Sequence, residues 1–351
     1  MLGRQGGSLR IVHGADDSAD AILYARAVAT FTVLDLSDAQ AVAAAAGLPA
    51  ATAITPIAAG TINSNFCVRC GEVRWFVRVN EGKREADVAW EAELVTALAA
   101  GGVPTPVPRR IGDARYLHHR GLWISVFPWV DGAIRAAAEV SPADAAALGH
   151  ALGTIHQVAR PRWPGLGRTG IYQWADVVGR LTTIAAADRP ELAPVLAELT
   201  AAIAEVDAAA GARAAASHGL IHGDLFRDNV LWQGAQIVAV LDFEQASSGS
   251  LVYDAAVAIN DWCWTGAALD GARAHALVAA YRAAAPWAPA DRAALAVELL
   301  AAAIRFTITR LTDVYLRQVD NPDKDYRAFL ARVRFWRSPE GAAMSTALAD
   351  H

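Results

Sequence analysis

Two carboxylates and an amide, at positions 224, 229 and 242 around a hairpin, constrain this chain more than any other feature of its sequence. Residues 222–229 read His-Gly-Asp-Leu-Phe-Arg-Asp-Asn, and residues 241–244 read Leu-Asp-Phe-Glu. Between them lie two short β-prone runs, Val-Leu-Trp at 230–232 and Ile-Val-Ala-Val-Leu at 237–241, separated by Gln-Gly-Ala-Gln. That is the pattern of a hairpin. The midpoint of 229 and 242 falls inside the turn, so a near-symmetric register sets Asn229 and Asp242 side by side at the open end. One amide oxygen and one carboxylate then face the same space. Such a hard-oxygen pair suits magnesium, which keeps several waters and takes one or two carboxylates from a protein. Asp224, five residues before Asn229, is close enough for one tight loop to aim it at the same place.

These are the parts that phosphoryl transfer requires: a carboxylate to orient the attacking hydroxyl, and oxygen ligands to hold the metal against nucleotide phosphates. Asp224 is the candidate base, and Asn229 and Asp242 are the candidate metal ligands. His222 reads as a loop-bracing side chain bonded to backbone, because no second His or Cys stands nearby at a zinc-ligand spacing. Asp, Asn and Gly gather in surface turns for local hydrogen-bonding reasons. A second Asp after an apolar strand is not explained that way.

At these residues the chain resembles the aminoglycoside phosphotransferase and choline kinase superfamily, relatives of the protein kinases. Their catalytic loop runs His-Gly-Asp-x-x-x-x-Asn and their metal segment Ile/Leu-Asp-Phe/Trp-Glu. Gly-Thr-Ile-Asn-Ser-Asn-Phe at 60–66, Gly-Val-Pro-Thr-Pro at 102–106, Asn-Asp-Trp-Cys at 260–263 and Arg-Phe-Thr-Ile-Thr-Arg-Leu at 305–311 look like the homoserine kinase branch. The resemblance implies an α+β, bilobal protein-kinase-like fold, with a small antiparallel sheet and a helix in the N-lobe and a larger, mostly α-helical C-lobe. It implies ATP and Mg2+ as cofactors, with transfer of the γ-phosphoryl group to the hydroxyl of a small molecule. Homoserine is the first choice of acceptor. Another amino alcohol, a sugar, an aminoglycoside, or nucleotide binding without catalysis are the alternatives.

Local patterns place the rest of the site. The expected division is an extension at 1–34, an N-lobe at 35–130 and a C-lobe at 131–351. A helix from Asp38 to Gly47 with Ser37 as N-cap, a hairpin of Asn65–Cys70 and Val73–Val79, and a helix over 85–100 stopped by Gly101-Gly102 build the N-lobe, followed by strands at 115–118 and 122–127. Helices at 141–159, 173–186, 190–210, 251–264, 267–284, 290–318 and 323–336 make the C-lobe.

Gly60, Thr61, Asn63, Ser64 and Asn65 sit where a kinase fold closes over the phosphates, and backbone N–H groups with small polar side chains can bind phosphate oxygens. Kinases pair a third-strand lysine with a glutamate on the next helix. Here Arg78 holds the strand position and Glu91 lies on an apolar helical stripe, so they are the nominated pair, with Lys83 and Glu93 as the rival. The resemblance places the inter-lobe hinge at Phe127 to Gly132, including Trp129, and implies that its backbone receives adenine. A zwitterionic acceptor needs a cation and an anion. Arg305 and Arg310 are candidates for its carboxylate and Asp261 for its ammonium. Five helical residues turn about 500°, so the two arginines need not point into one site. Asp254 reads as a brace for the catalytic loop or a helix cap.

Bulk composition excludes several classes. The net charge of -5, without a dense Lys/Arg run, argues against a nucleic-acid partner. The 54% hydrophobic content is largely alanine, and no apolar stretch reads as membrane-spanning. Three cysteines make no disulfide framework. Cys67 and Cys70 stand three apart on a strand, where side chains face opposite ways. No secretory leader is read at the start, so the expectation is a cytoplasmic monomer or homodimer acting on a small hydroxyl-bearing substrate.

Overall fold

Helix α1 (Leu36–Ala45) begins earlier than the sequence suggests, because Asp35 rather than Ser37 caps it. The Asp35 carboxylate accepts from Asp38 N–H at 2.9 Å and the Asp38 carboxylate accepts from Asp35 N–H at 3.1 Å, a reciprocal box that satisfies two of the helix's unpaired donors. The computed structural model describes residues 32–57, 63–266, 268–319 and 321–350. Leu34, assigned by sequence to the extension, is buried in the small core.

Strands β1 (Ala51–Ile57), β2 (Ser64–Cys70) and β3 (Val73–Val79) precede helix α2 (Glu85–Ala100), and β4 (Leu117–His119) and β5 (Leu122–Pro128) follow it. They form one five-stranded sheet in the order β1-β2-β3-β5-β4. Strand β1, not read from the sequence, is an edge strand, which is where its Pro56 is tolerated. Along β2 buried and half-buried residues alternate, so Cys70 is buried and Cys67 is not. Phe66, Val68, Val77, Val79, Ile124 and Val126 pack with Leu34 and Val42 into the small core. Leu94, Val95 and Leu98 of α2 belong instead to the large core, beside Leu148 and Leu152. Helix α2 therefore ties the position of Glu91 to both lobes.

Past β5 the chain crosses to the larger lobe, and there it lies on the catalytic hairpin. Ala133 and Trp232 exchange backbone hydrogen bonds, each 2.9 Å. The approach requires glycine at 132, where a Cβ would stand 2.8 Å from Leu231 Cβ and 3.3 Å from Trp232 N.

Helices α3 (Pro142–Arg162), α4 (Trp174–Gly179), α5 (Leu181–Ala185), α6 (Ala193–Ala208) and α7 (Ala210–Ala215) lead to the catalytic region. There β6 (His218–Ile221) pairs with β9 (Ser247–Ser250), enclosing the hairpin of β7 (Val230–Gln233) and β8 (Gln236–Val240). Helices α8 (Leu251–Trp262), α9 (Gly271–Ala284), α10 (Pro289–Arg310), α11 (Tyr326–Trp336) and α12 (Pro339–Asp350) complete the lobe around Trp262, Trp264, Tyr281 and Phe329. The long helix expected over 290–318 stops being α-helical at Arg310 and continues as a π-turn, Leu311–Tyr315. Strands β6 and β9 and helix α12 were not read from the sequence. Among the described residues no helix is long and apolar enough to cross a membrane.

Candidate active site

The loop after β6 is held from below by one buried carboxylate. Asp254, in the first turn of α8, accepts from His222 N–H at 2.7 Å and from Gly223 N–H at 2.8 Å. His156 Nε2 lies 3.0 Å from the same side chain. Burial pushes the Asp254 pKa up, but the His156 hydrogen bond and charge, with His222 and the Gly223 N–H, outweigh it and hold the group below its ordinary value. His222 Nδ1 accepts from Asp224 N–H at 3.3 Å, so Nε2 carries the hydrogen and donates to Leu241 O at 2.9 Å. His222 thus braces backbone on both sides, and Gly223 supplies the positive φ of 77° at the bend.

The hairpin delivers the two candidate metal ligands. Val230 pairs with Val240, and Leu241 N–H donates to Asn229 O at 2.8 Å. The residue opposite Asn229 is therefore Leu241, and Asp242 lies one position beyond it. There the backbone turns into the left-handed region, φ 63° and ψ 62°, which few side chains other than Asn and Asp adopt. Asn229 Nδ2 donates to Asp224 O at 2.8 Å, which fixes the amide's orientation and leaves Oδ1 for another partner. Asp242 Oδ1 is buried with no hydrogen-bond partner. Burial, then Glu244, pushes the Asp242 pKa up to about 7 despite the Arg78 charge. A buried carboxylate oxygen without a donor, beside an amide oxygen, fits a hard divalent cation. Among the described residues no group of three or more His, Cys, Asp or Glu could hold a metal ion, so the fit is to an ion completed by water and phosphate.

Asp224 itself is half-exposed and gripped at one side. Gln245 Nε2 donates to Asp224 Oδ2 at 3.1 Å. Arg305 donates to Gln245 Oε1 at 2.9 Å and to Gly223 O at 3.0 Å, and its guanidinium lies 4.3 Å from the centre of the Tyr172 ring.

Across the cleft, Arg78 Nη1 donates to Glu91 Oε1 at 2.8 Å, while Lys83 Nζ donates to Glu91 Oε2 at 3.2 Å. Lys83 also meets Glu244 at 2.9 Å, and Asn63 Nδ2 donates to the same Glu244 oxygen at 2.6 Å. Both cations therefore share Glu91. The rival partner, Glu93, is turned to Arg162 at 3.2 Å. Burial penalises the Arg78 charge, but Glu91, Asp242 and Glu244 more than offset it and the pKa is raised. Burial likewise works against the Glu91 carboxylate, yet Arg78 and Lys83 hold its pKa down.

The phosphate-loop residues divide. Gly60 and Thr61 lie outside the described residues. Asn63 Oδ1 accepts from Glu81 N–H at 3.3 Å, so its side chain braces protein at both ends. Ser64 Oγ donates to Glu81 at 2.6 Å and accepts from Thr32 N–H at 3.0 Å. Asn65 stands opposite Arg78 in the β2–β3 register. At the hinge, Phe127 is buried edge-on against Phe76, and Trp129 Nε1 donates to Asp131 at 3.2 Å beneath Arg74.

The acceptor residues read from the sequence need correction. Asp261 is no open anion: it accepts from Arg227 N–H at 2.8 Å, Nε at 3.0 Å and Nη2 at 3.2 Å, and only 4% of its surface is exposed. Arg305 is turned to the catalytic loop instead of an open carboxylate site. Arg310 diverges from it, lying 4.2 Å from the Phe329 ring centre and donating to Asp325 O at 3.3 Å. Sequence reading named Glu244 in the Leu-Asp-Phe-Glu run without giving it a role, overlooked Gln245, and set Lys83 with Glu93 in the rival pair, whereas Lys83 meets Glu91 and Glu244. Tyr172 carries no local signal at all.

Residues 53–287 match the phosphotransferase enzyme family. The homoserine kinase of Gluconacetobacter diazotrophicus is 34% identical over 309 residues, 83% of this chain and 91% of its own length. Among solved structures, a microcompartment-associated aminopropanol kinase has a TM-score of 0.64 at 20% identity, covering 90% of this chain and 97% of that one. The amicoumacin kinase complex with AMP-PNP, Ca2+ and Ami has a TM-score of 0.60 at 16% identity, over 85% of this chain and 88% of that one. With a protein-kinase-like fold, a cleft arranged for nucleotide and divalent metal, and a family match over most of its length, the chain belongs to the phosphotransferase enzyme family.

Proposed function

We propose that the protein is a homoserine kinase, transferring the γ-phosphoryl group of ATP to the side-chain hydroxyl of homoserine with Mg2+ as the metal. The observation that carries the reading is the buried, unpartnered oxygen of Asp242 beside Asn229 and Asp224, in a chain whose curated relatives bear that name. Asp224 orients the acceptor hydroxyl and takes its proton. The hydroxyl oxygen forms its bond to the γ-phosphorus as the bond to the β–γ bridging oxygen breaks, and ADP leaves. Asn229 Oδ1 and Asp242 would hold the metal, which would supply positive charge against the nucleotide phosphates. Arg78 and Lys83 supply cationic donors to the phosphates, with Glu91 and Glu244 fixing them. The 35–130 lobe binds nucleotide and the remainder binds acceptor, with the backbone of 127–129 facing adenine.

The test is ADP release with Mg2+-ATP over homoserine, other hydroxy amino acids, choline, methylthioribose and aminoglycosides. Homoserine should give the highest kcat/KM. Faster turnover of another acceptor replaces the substrate. No ADP release with any of them ends the kinase reading.

A further inference from the structure

A cavity of about 450 Å³ opens beside the catalytic loop, between β9, the segment before α4, and the inner face of α10. Gly223, Gln245 and Arg305 line its catalytic end, and Glu298 and Arg213 line the other. Glu298 and Arg305 stand seven residues apart on one face of α10, so about 10.5 Å of helix axis separates them. Arg305 has both terminal nitrogens engaged, by Gly223 O and Gln245 Oε1, and only its buried Nε lacks an acceptor. Glu298 has a terminal oxygen open. Its residue exposure is 0%, Oε2 accepts from Arg213 Nε at 3.1 Å, and Oε1 is buried with no hydrogen-bond partner.

A buried carboxylate oxygen without a donor is destabilising until one meets it, most of all a charged one. Burial accordingly raises the Glu298 pKa, although Arg213 and Ser250 pull against it. Arg213 stacks 4.9 Å from the Trp174 ring centre, and among the described residues its terminal nitrogens donate to no side chain. The pair thus offers an oxygen that needs a cation and, within one ion-pair distance, donors suited to a carboxylate. An amino acid carries that combination on a single carbon.

We propose that Glu298 and Arg213 are the specificity pair that holds the zwitterionic head of the acceptor, Glu298 Oε1 taking its ammonium and the Arg213 terminal nitrogens its carboxylate. The proposal rests on the reading of Asp224 as the base for a hydroxy amino acid, and it moves the ammonium site from Asp261 to the cavity. A zwitterion adds no net charge to the Glu298–Arg213 pair, whose own charges are matched. Held there, a four-carbon acceptor extends its hydroxyl about 5 Å from the head along the cavity toward Gly223 and Gln245, which flank Asp224.

The test compares three acceptors: homoserine, 4-hydroxybutanoate, which lacks the amino group, and 3-aminopropan-1-ol, which lacks the carboxylate. Wild-type kcat/KM should favour homoserine over each by about 100-fold. Glu298→Gln should collapse the homoserine to 4-hydroxybutanoate ratio to within about fivefold and leave the other ratio unchanged. Arg213→Met should do the converse. Mg2+-ATP affinity, measured by calorimetry, should be unchanged in both. If both variants lower all three acceptors by one factor, the pair is only structural and the proposal is overturned. It is equally overturned if neither ratio moves. If the wild type binds Mg2+-ATP but turns over none of the three, the homoserine reading fails, and this proposal with it.

Discussion

Arg305 Nη1 stands 3.7 Å from Asp224 Oδ1, yet the hydrogen bonds of its guanidinium go to the neighbours of that carboxylate, Gly223 O and Gln245 Oε1. Its charge acts on the candidate base while its geometry sets the loop that carries it. Arg305 is therefore a positioning residue. Arg305→Met should lower kcat by about 10- to 100-fold and shift the acceptor KM by less than about threefold, as steady-state kinetics would show. A ligand of the acceptor carboxylate would move KM instead.

Asp224 is the proposed base, and Asp242 is assigned to the metal rather than to the acceptor hydroxyl. Asp224→Asn should reduce kcat by about 1,000-fold or more with Mg2+-ATP binding retained, the former by ADP release and the latter by calorimetry. Activity within about tenfold of wild type would remove the residue from its role.

Glu91 is shared between two cations, Arg78 through Oε1 and Lys83 through Oε2. If both reach phosphate, neither loss is total. Arg78→Met and Lys83→Met should each raise the ATP KM by about tenfold, whereas Glu91→Gln, which unfastens both, should exceed either single effect. Equality of all three would mean that only one cation matters.

Asp242 gives a pH dependence whose sign follows from its raised pKa. The folded, metal-free protein keeps a proton there up to about pH 7, which the unfolded chain has released from about 3.8 upward. That contribution to stability is fully present below the unfolded value and is lost as pH rises through about 7. In metal-free buffer, Asp242→Asn should therefore gain melting temperature over wild type at pH 8 but not at pH 4. Because metal competes with the same proton, stabilisation by Mg2+ should grow in wild type between pH 6 and 8 and be absent in the variant. A pH-independent response in thermal melts would overturn the assignment.

Asp254→Ala removes the acceptor for two buried N–H groups, those of His222 and Gly223. Each unpaired donor costs about 1–3 kcal/mol, so urea melts should show a loss of about 2–6 kcal/mol. Near-wild-type stability would mean that the loop finds other partners.

How much of this was legible beforehand depends on the reach of each interaction. Asn229 and Asp242 could be brought together from sequence because a hairpin couples residues through backbone spacing alone. The two-residue turn, with Gln233 opposite Gln236, would by itself set Val240 opposite Asn229; a bulge between Leu231 and Trp232, which has no local signal, sets Leu241 there instead and leaves Asp242 one position beyond. The cap of α1 moved from Ser37 to Asp35 because Asp38 reciprocates, and Asp38 is buried against His119 and Arg120 from β4 and its turn.

Sequence by itself determined the hairpin, since strand periods and short-range loops encode it, and its resemblance to a known family gave the fold class and the Arg78–Glu91 pair. Only tertiary structure decided which charges are left open. Asp261, Arg305 and Glu298 are all charged residues on buried helix faces, and nothing local distinguishes them. Arg227 closes the first, Gly223 and Gln245 hold the terminal nitrogens of the second, and the third keeps one oxygen unanswered because its ion-pair partner, Arg213, arrives from a helix 85 residues earlier and reaches a single side of the carboxylate.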